Sequence, residues 1–279
     1  MRDEQVKGTQ QPRGVDRRRG EPAYRFLGGL AHGVNTALTT RDWHDAHKIP
    51  QQGGVLVVSN HISNYDPLAL GEYLIYNGRW PRFLGKSDLW KVPVVGFFAR
   101  GCRQIPVERN TSRAGDSLRH AKQALADGEM VAIYPEGTIT ADPDGWPMTA
   151  RTGAARLALE TRVPVLPVAQ WGANQIIPGK KLHFPRFFPR PTLQAKAGDL
   201  LDLSDLYGHP DRHKAVRVAS ERMMRAITDL LADLRQEPAP QDRYDIRKGI
   251  RVPKGPTTIS ALDDPAQPDG VPPIEAPPA

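Results

Sequence analysis

The chain has 279 residues, 38 Lys and Arg against 31 Asp and Glu, and one cysteine, Cys102. A lone thiol excludes an intramolecular disulfide and fits a reducing compartment. No run of about 18 apolar residues marks a conventional membrane span, and the polar N-terminus lacks the apolar stretch of a secretory signal. The net charge of +7 favours anionic partners; with no recognition-helix pattern, RNA-binding aromatic strand or zinc spacing, a membrane surface or phosphorylated molecule is expected rather than nucleic acid.

Residues 1–21 carry Arg13, Arg17, Arg18 and Arg19 among Gln, Gly and Asp. They read as a disordered basic arm, either a solubilising tail or an attraction to anionic lipid. Residues 22–44 form an amphipathic segment. Tyr24, Leu27, Leu30, Ala31, Val34 and Leu38 recur at helical spacing, which suits packing on the main domain or an interfacial membrane helix. His44 and His47 make a possible metal pair without a third ligand at a supporting spacing, so no metal is expected.

Residues 45–236 alternate between two patterns. Val55-Leu56-Val57-Val58 reads as a buried strand, followed by a turn at His61 and a helix over about 67–77. Arg82–Gly85 is a short strand, and 87–99 is apolar all round, which suits burial or contact with a membrane or acyl chain. Gln104–Val107 is another strand; Thr111–Asp127 is a helix that stops at Gly128. Met130–Tyr134 is a strand, Thr152–Thr161 a helix and Val165–Ala169 a strand. Leu193–Ala197 reads as an edge strand, and Arg212–Leu234 as a long helix with a core-facing stripe. This alternation predicts an α/β fold with a largely parallel central sheet and helices on both faces. Ten of the 27 prolines fall in residues 237–279, a composition that predicts a disordered Pro-rich tail.

Two strand ends carry chemistry. His61 follows the first strand, where open α/β sheets place their ligands, and Asp66 stands five residues on. A five-residue step on a straight helix would point the two side chains apart. Pro67 disfavours helical backbone at Asp66 and suits a first helical turn, so Asp66 reads as a helix N-cap and residues 61–66 as a turn that returns the carboxylate to the imidazole. A carboxylate-held imidazole is a general base; a structural cap beside a surface histidine fits the same letters. At the second strand end, Gly137 of Pro135-Glu136-Gly137-Thr138 permits close backbone approach and Thr138 offers a hydroxyl. Arg109, past a third strand, supplies a planar fork for phosphate.

Taken in order, Asn60-His61-x4-Asp66, Ile105-Pro106-Val107-Glu108-Arg109, Tyr134-Pro135-Glu136-Gly137-Thr138 and Val163-Pro164-Val165-Leu166-Pro167 resemble the four motifs of the glycerolipid acyltransferases. The likeness is to the bacterial PlsC type, which acylates 1-acylglycerol-3-phosphate, and spans roughly residues 45–205. It implies transfer of an acyl group from acyl-CoA or acyl carrier protein to the sn-2 hydroxyl of the lysophospholipid, making phosphatidic acid. His61 would be the base and Asp66 its partner; Arg109, Glu136, Gly137 and Thr138 would hold the glycerol-phosphate end. No metal or cofactor is implied. Another lysophospholipid or glycolipid acceptor, or an inactive membrane-binding relative, remains the alternative. The pattern departs at Ile139, where the family usually has Arg. Lys86 or Arg151 are candidates for that missing charge, with a surface role for Arg103. A lipid acceptor without a spanning helix implies a peripheral protein on the cytoplasmic face of the cell membrane, drawn to its anionic surface.

Overall fold

The computed structural model describes residues 21–107, 114–180 and 183–262. In chain order the elements are α1 (Pro22–Leu38), β1 (Thr40–His44), β2 (Val55–Ser59), α2 (Asp66–Tyr76), β3 (Pro81–Lys86) and α3 (Pro93–Gly101). Then come β4 (Ile105–Val107), α4 (Ala114–Ala126), β5 (Met130–Ile133), α5 (Gly153–Thr161), β6 (Val165–Trp171) and α6 (Ala173–Ile176). The chain continues through β7 (Thr192–Ala197), α7 (Arg212–Arg235), β8 (Asp242–Asp245) and β9 (Ile250–Pro253). Seven strands form one sheet in the order β1-β7-β6-β2-β5-β3-β4. Every neighbouring pair is parallel except β6 and β7, so the sheet is largely parallel, as the alternation predicts.

The sheet is covered on both faces. Val55 and Val57 of β2 pack with Leu70, Tyr73 and Leu74 of α2. Leu56 and Val58 point the other way, into a core with residues of α4, α5 and α7. Successive strand residues face opposite sides, and both sides are dry, which is why β2 is an unbroken apolar run. Full burial of each such side chain contributes about 1.5–3 kcal/mol. The arrangement sets β2 and β5 side by side in parallel, with Val58 paired to Ile133. The segments that follow these two strands therefore meet at the same edge of the sheet.

Helix α1 is pinned to the domain. Tyr24 packs with Ile75, Trp80 and Cys102 and donates its hydroxyl to the Pro81 carbonyl at 2.7 Å. Buried Glu72 accepts hydrogen bonds from Asn35 and Arg41 and pairs with His32. The apolar face expected of this segment is split between two environments: Tyr24 and Leu27 turn inward, whereas Leu30, Val34 and Leu38 join Phe26 as an exposed stripe repeating every fourth residue.

Several expectations are corrected. The segment 22–44 is not one unit, because residues 40–44 form strand β1, which makes β7 an inner strand instead of the edge; the sheet therefore begins before residue 45. His44 ends that strand and pairs with Asp42, and among the described residues no group of three or more His, Cys, Asp or Glu side chains could hold a metal. Pro93 divides the apolar stretch 87–99, opening α3 after a short turn. The Pro-rich tail expected from residue 237 is structured as far as 262: β8 and β9 pair in antiparallel, and Arg243, Asp245 and Val252 are buried. Among the described residues of this stretch, Pro238, Pro240 and Pro256 lie outside the strands and Pro253 ends β9. The basic arm, apart from Glu21, and residues 263–279 lie outside the described residues.

Candidate active site

Directly after strand β2 comes Asn60, whose side chain is buried and locked to the neighbouring strand β6. Its amide donates to the Gln170 carbonyl, and its carbonyl oxygen accepts from the Gln170 N–H, both at 2.9 Å. The chain then turns sharply. One oxygen of Asp66, Oδ2, accepts from the Ile62 N–H at 2.6 Å and the Ser63 N–H at 2.9 Å, and lies 2.7 Å from His61 Nδ1. The carboxylate does fold back onto the imidazole, as the turn predicts, but by a different route. Asp66 is the first residue of α2, with Tyr65 at the N-cap, and its side chain closes the preceding turn instead of capping its own helix.

The imidazole is fixed on a third side. Its ring stacks on Tyr134, with centroids 4.2 Å apart and planes 11° from parallel. Nδ1 faces Asp66, and Nε2 has no partner among the described residues. Asp66 is fully buried. Burial raises its pKa, opposed by the hydrogen bonds from His61, Ser63 and Ile62. An imidazole with one nitrogen held by a carboxylate and the other free is arranged to take a proton at Nε2.

Strand β5 delivers the second segment. Glu136 is 2% exposed; Oε1 accepts from the His61 N–H and Oε2 from the Met148 N–H, both at 2.9 Å. Burial pushes its pKa up to about 8, with those two N–H groups pulling the other way. Glu136 thus lies beneath the His61 turn and braces it, each oxygen accepting one main-chain N–H. Gly137 has a φ of +70°, and a Cβ there would come within 2.7 Å of the Arg151 side chain. The left-handed backbone favours glycine there, and its missing Cβ lets the Arg151 side chain lie close. Thr138 is half-buried at the same loop, and Ile139 is buried, so position 139 turns away from solvent.

The candidate cations separate. Arg151 is exposed and lies against Gly137, beside the His61 turn. Lys86 ends β3 and pairs with Asp88 at 2.6 Å, so a surface carboxylate already occupies it. Arg103 pairs with Glu21 and Glu129; Glu129 precedes β5, which puts Arg103 at the opposite end of the sheet and agrees with its surface reading. Arg109 lies outside the described residues. Cys102 is buried in the α1 cluster, and burial raises its pKa to about 11, which suppresses the thiolate.

The sequence reading placed a loop at 140–149 and Tyr134 at the end of a strand, but gave neither of them, nor Gln170, a part in the site. Tyr134 was detectable: Met130, Ala132 and Tyr134 alternate onto one face of β5, the face that α2 covers. The N–H groups of His61, Ile62, Ser63 and Tyr65 are all committed to side chains, so none of these four is available as an oxyanion donor.

A family model described as Acyltransferase matches residues 41–171. The chloroplastic 1-acyl-sn-glycerol-3-phosphate acyltransferase BAT2 of Brassica napus is 30% identical over 122 residues, 43% of this chain and 34% of that protein. The chain thus covers about a third of the plant relatives it matches. The 1-acyl-sn-glycerol-3-phosphate acyltransferase of Bacillus subtilis is 23% identical over 191 residues, 67% of this chain and 86% of that protein. The crystal structure of the 1-acyl-sn-glycerophosphate (LPA) acyltransferase PlsC from Thermotoga maritima superposes with a TM-score of 0.57 and 25% identity, covering 75% of this chain and 80% of that one. Family model, relatives and fold agree: residues 41–171 match an acyltransferase domain, and the chain is similar to the glycerolipid acyltransferases of the PlsC type.

Proposed function

We propose that the protein transfers a fatty acyl group from acyl-CoA or acyl carrier protein to the sn-2 hydroxyl of 1-acylglycerol-3-phosphate, making phosphatidic acid. The observation that carries this reading is the His61–Asp66 pair, 2.7 Å apart just past the end of β2, with no partner for Nε2 among the described residues. His61 Nε2 takes the proton of the acceptor hydroxyl. The oxygen attacks the thioester carbonyl, and Asp66 stabilises the imidazolium that forms. When the tetrahedral intermediate collapses, the C–S bond breaks and the imidazolium returns its proton to the leaving thiolate. The relatives named for 1-acyl-sn-glycerol-3-phosphate support the acceptor. Arg109 and Arg151 are assigned to its phosphate, with Gly137 and Thr138 lining the approach; Arg151 replaces the charge that Ile139 lacks.

A lipid acceptor has to be met at a surface, because among the described residues no helix is long and apolar enough to cross a membrane. We assign the membrane contact to the stripe Phe26, Leu30, Val34 and Leu38 of α1, joined by Phe97 of α3, all exposed. Phe184 and Phe188, 95% and 94% exposed, extend it. Arg190 at the end of their loop donates to the Thr36 carbonyl of α1 at 2.7 Å, so loop and stripe are neighbours. The assigned location is the cytoplasmic face of the cell membrane. Incubating the purified protein with acyl-CoA and a panel of lysophospholipids, with products identified by mass spectrometry, tests the reading. Phosphatidic acid as the dominant product supports it, and a product built on another headgroup replaces the acceptor.

A further inference from the structure

The C-terminal hairpin lies outside the residues that the family model matches, yet it grips the loop that supports the catalytic turn. The Tyr244 carbonyl in β8 accepts from the Thr149 N–H at 3.0 Å. Arg251 in β9 reaches Asp142 at 2.9 Å and Asp144 at 2.8 Å. The Asp142 carboxylate in turn accepts from the Asp144 N–H at 2.9 Å, so a single buried carboxylate both shapes the loop and ties it to the hairpin. Arg235, at the end of α7, donates to the Asp144 carbonyl at 2.8 Å and lies between the rings of Trp146 and Trp171, 4.2 and 4.3 Å from their centroids. The hairpin itself is held to α7 by the buried pair Arg243–Glu221.

From the other side of that loop, two main-chain groups reach the catalytic turn. The Thr140 N–H donates to the His61 carbonyl at 2.7 Å. The Met148 N–H donates to Glu136, whose other oxygen holds the His61 N–H. Both peptide groups of His61 are thus fixed by the segment 136–148, and that segment is fixed by the hairpin.

We infer that the hairpin β8–β9 is a positioning element for His61, with Arg251 as its principal positioning residue acting through Asp142. The role assigned to these groups is indirect, through the main chain of the His61 turn. Their effect is to keep the imidazole on the line between Asp66 and the acceptor hydroxyl, and small misplacements of that kind lower turnover by up to about a hundredfold. The inference rests on the acyl-transfer reading for its activity arm alone.

The test compares full-length wild type with Arg251→Ala, Arg251→Lys and, on the exposed outer side of the same strand, Ile250→Ala. Two readouts are taken: kcat and KM with acyl-CoA and 1-acylglycerol-3-phosphate, and amide hydrogen exchange by peptide. In Arg251→Ala, kcat is expected to fall about tenfold or more, with both KM values within about twofold. Exchange should rise in segments 60–66 and 136–149 and stay unchanged in β6. Arg251→Lys should recover part of the loss, and Ile250→Ala should match wild type. Unchanged exchange in segment 60–66 overturns the inference whatever the activity. A rise spread over the whole sheet also overturns it, because it marks a purely structural role. If wild type makes no phosphatidic acid, the acceptor assignment fails, and the exchange arm still decides the hairpin's role.

Discussion

Replacing Asp66 by Asn separates the charge of the dyad from its geometry. Asp66 Oδ2 takes three N–H groups, from His61, Ile62 and Ser63, within 2.9 Å, and an Asn carbonyl oxygen can occupy the same position. The turn is then retained while the negative charge opposite the imidazolium is lost. At about 4 Å between charge centres and an effective dielectric near 20, that attraction is about 4 kcal/mol, or about a thousandfold in kcat at about 1.4 kcal/mol per decade. Stability should respond differently. Burial raises the pKa of Asp66 above its ordinary 3.8, so the native state holds this proton more tightly than the unfolded chain. The resulting stabilisation is complete below about pH 4 and disappears as pH rises through the higher folded value. At pH 7 the buried charge is a cost that Asn removes. Against this, the new NH2 takes the place of Oδ1, a buried atom with no partner among the described residues, at a cost of about 1–3 kcal/mol. The expected outcome is a kcat about 10²–10⁴ lower, an acceptor KM within about twofold, and a Tm that depends less on pH as pH rises above about 4. Steady-state thiol release from acyl-CoA and scanning calorimetry read these quantities. A folded Asp66→Asn protein with kcat within threefold of wild type would refute the role of the charge.

Glu136→Gln should flatten the stability–pH curve. The folded pKa of about 8 against an ordinary 4.5 stabilises the native state below about pH 4.5 and loses that contribution as pH rises through 8, at up to about 1.4 kcal/mol per unit; parallel wild-type and variant curves in calorimetry would contradict the burial argument. Arg151→Ala should raise KM for 1-acylglycerol-3-phosphate about tenfold or more with kcat unchanged, and Arg109→Ala should act in the same direction; an equal rise for the thioester donor would remove either residue from the phosphate site. The double variant Leu30→Asp and Val34→Asp should lose most binding to anionic vesicles in cosedimentation while keeping activity on a short-chain soluble acceptor. Unchanged vesicle binding would move the contact to Phe184 and Phe188.

The central sheet was legible because its strands are extreme cases. Val55–Val58 and Met130–Ile133 are apolar without interruption, and only a strand buried on both faces is written that way. The His61–Asp66 contact was legible because Pro67 marks a helix start, which leaves the residues before it to a turn instead of the helical spacing that would part the two side chains. Strand β1 was hidden: Thr40-Arg41-Asp42-Trp43-His44 buries Trp43 alone among its five residues, too little for a pattern. Composition misled at the C-terminus, since the prolines that disqualify a core flank a short hairpin held by ion pairs, Arg251 to Asp142 and Arg243 to Glu221. Glu136 could be located but not assigned. A carboxylate that meets a ligand and one that binds two main-chain N–H groups look identical in sequence, and only the neighbouring loop distinguishes them.

The most direct measurement of the central claim is single-turnover transfer from acyl-CoA to 1-acylglycerol-3-phosphate by wild type and by His61→Ala, with phosphatidic acid quantified and both proteins verified as folded. Loss of a general base typically lowers the rate about 10²–10⁴-fold, and that loss is the predicted result. Near-normal formation of phosphatidic acid by a folded His61→Ala protein would contradict the account.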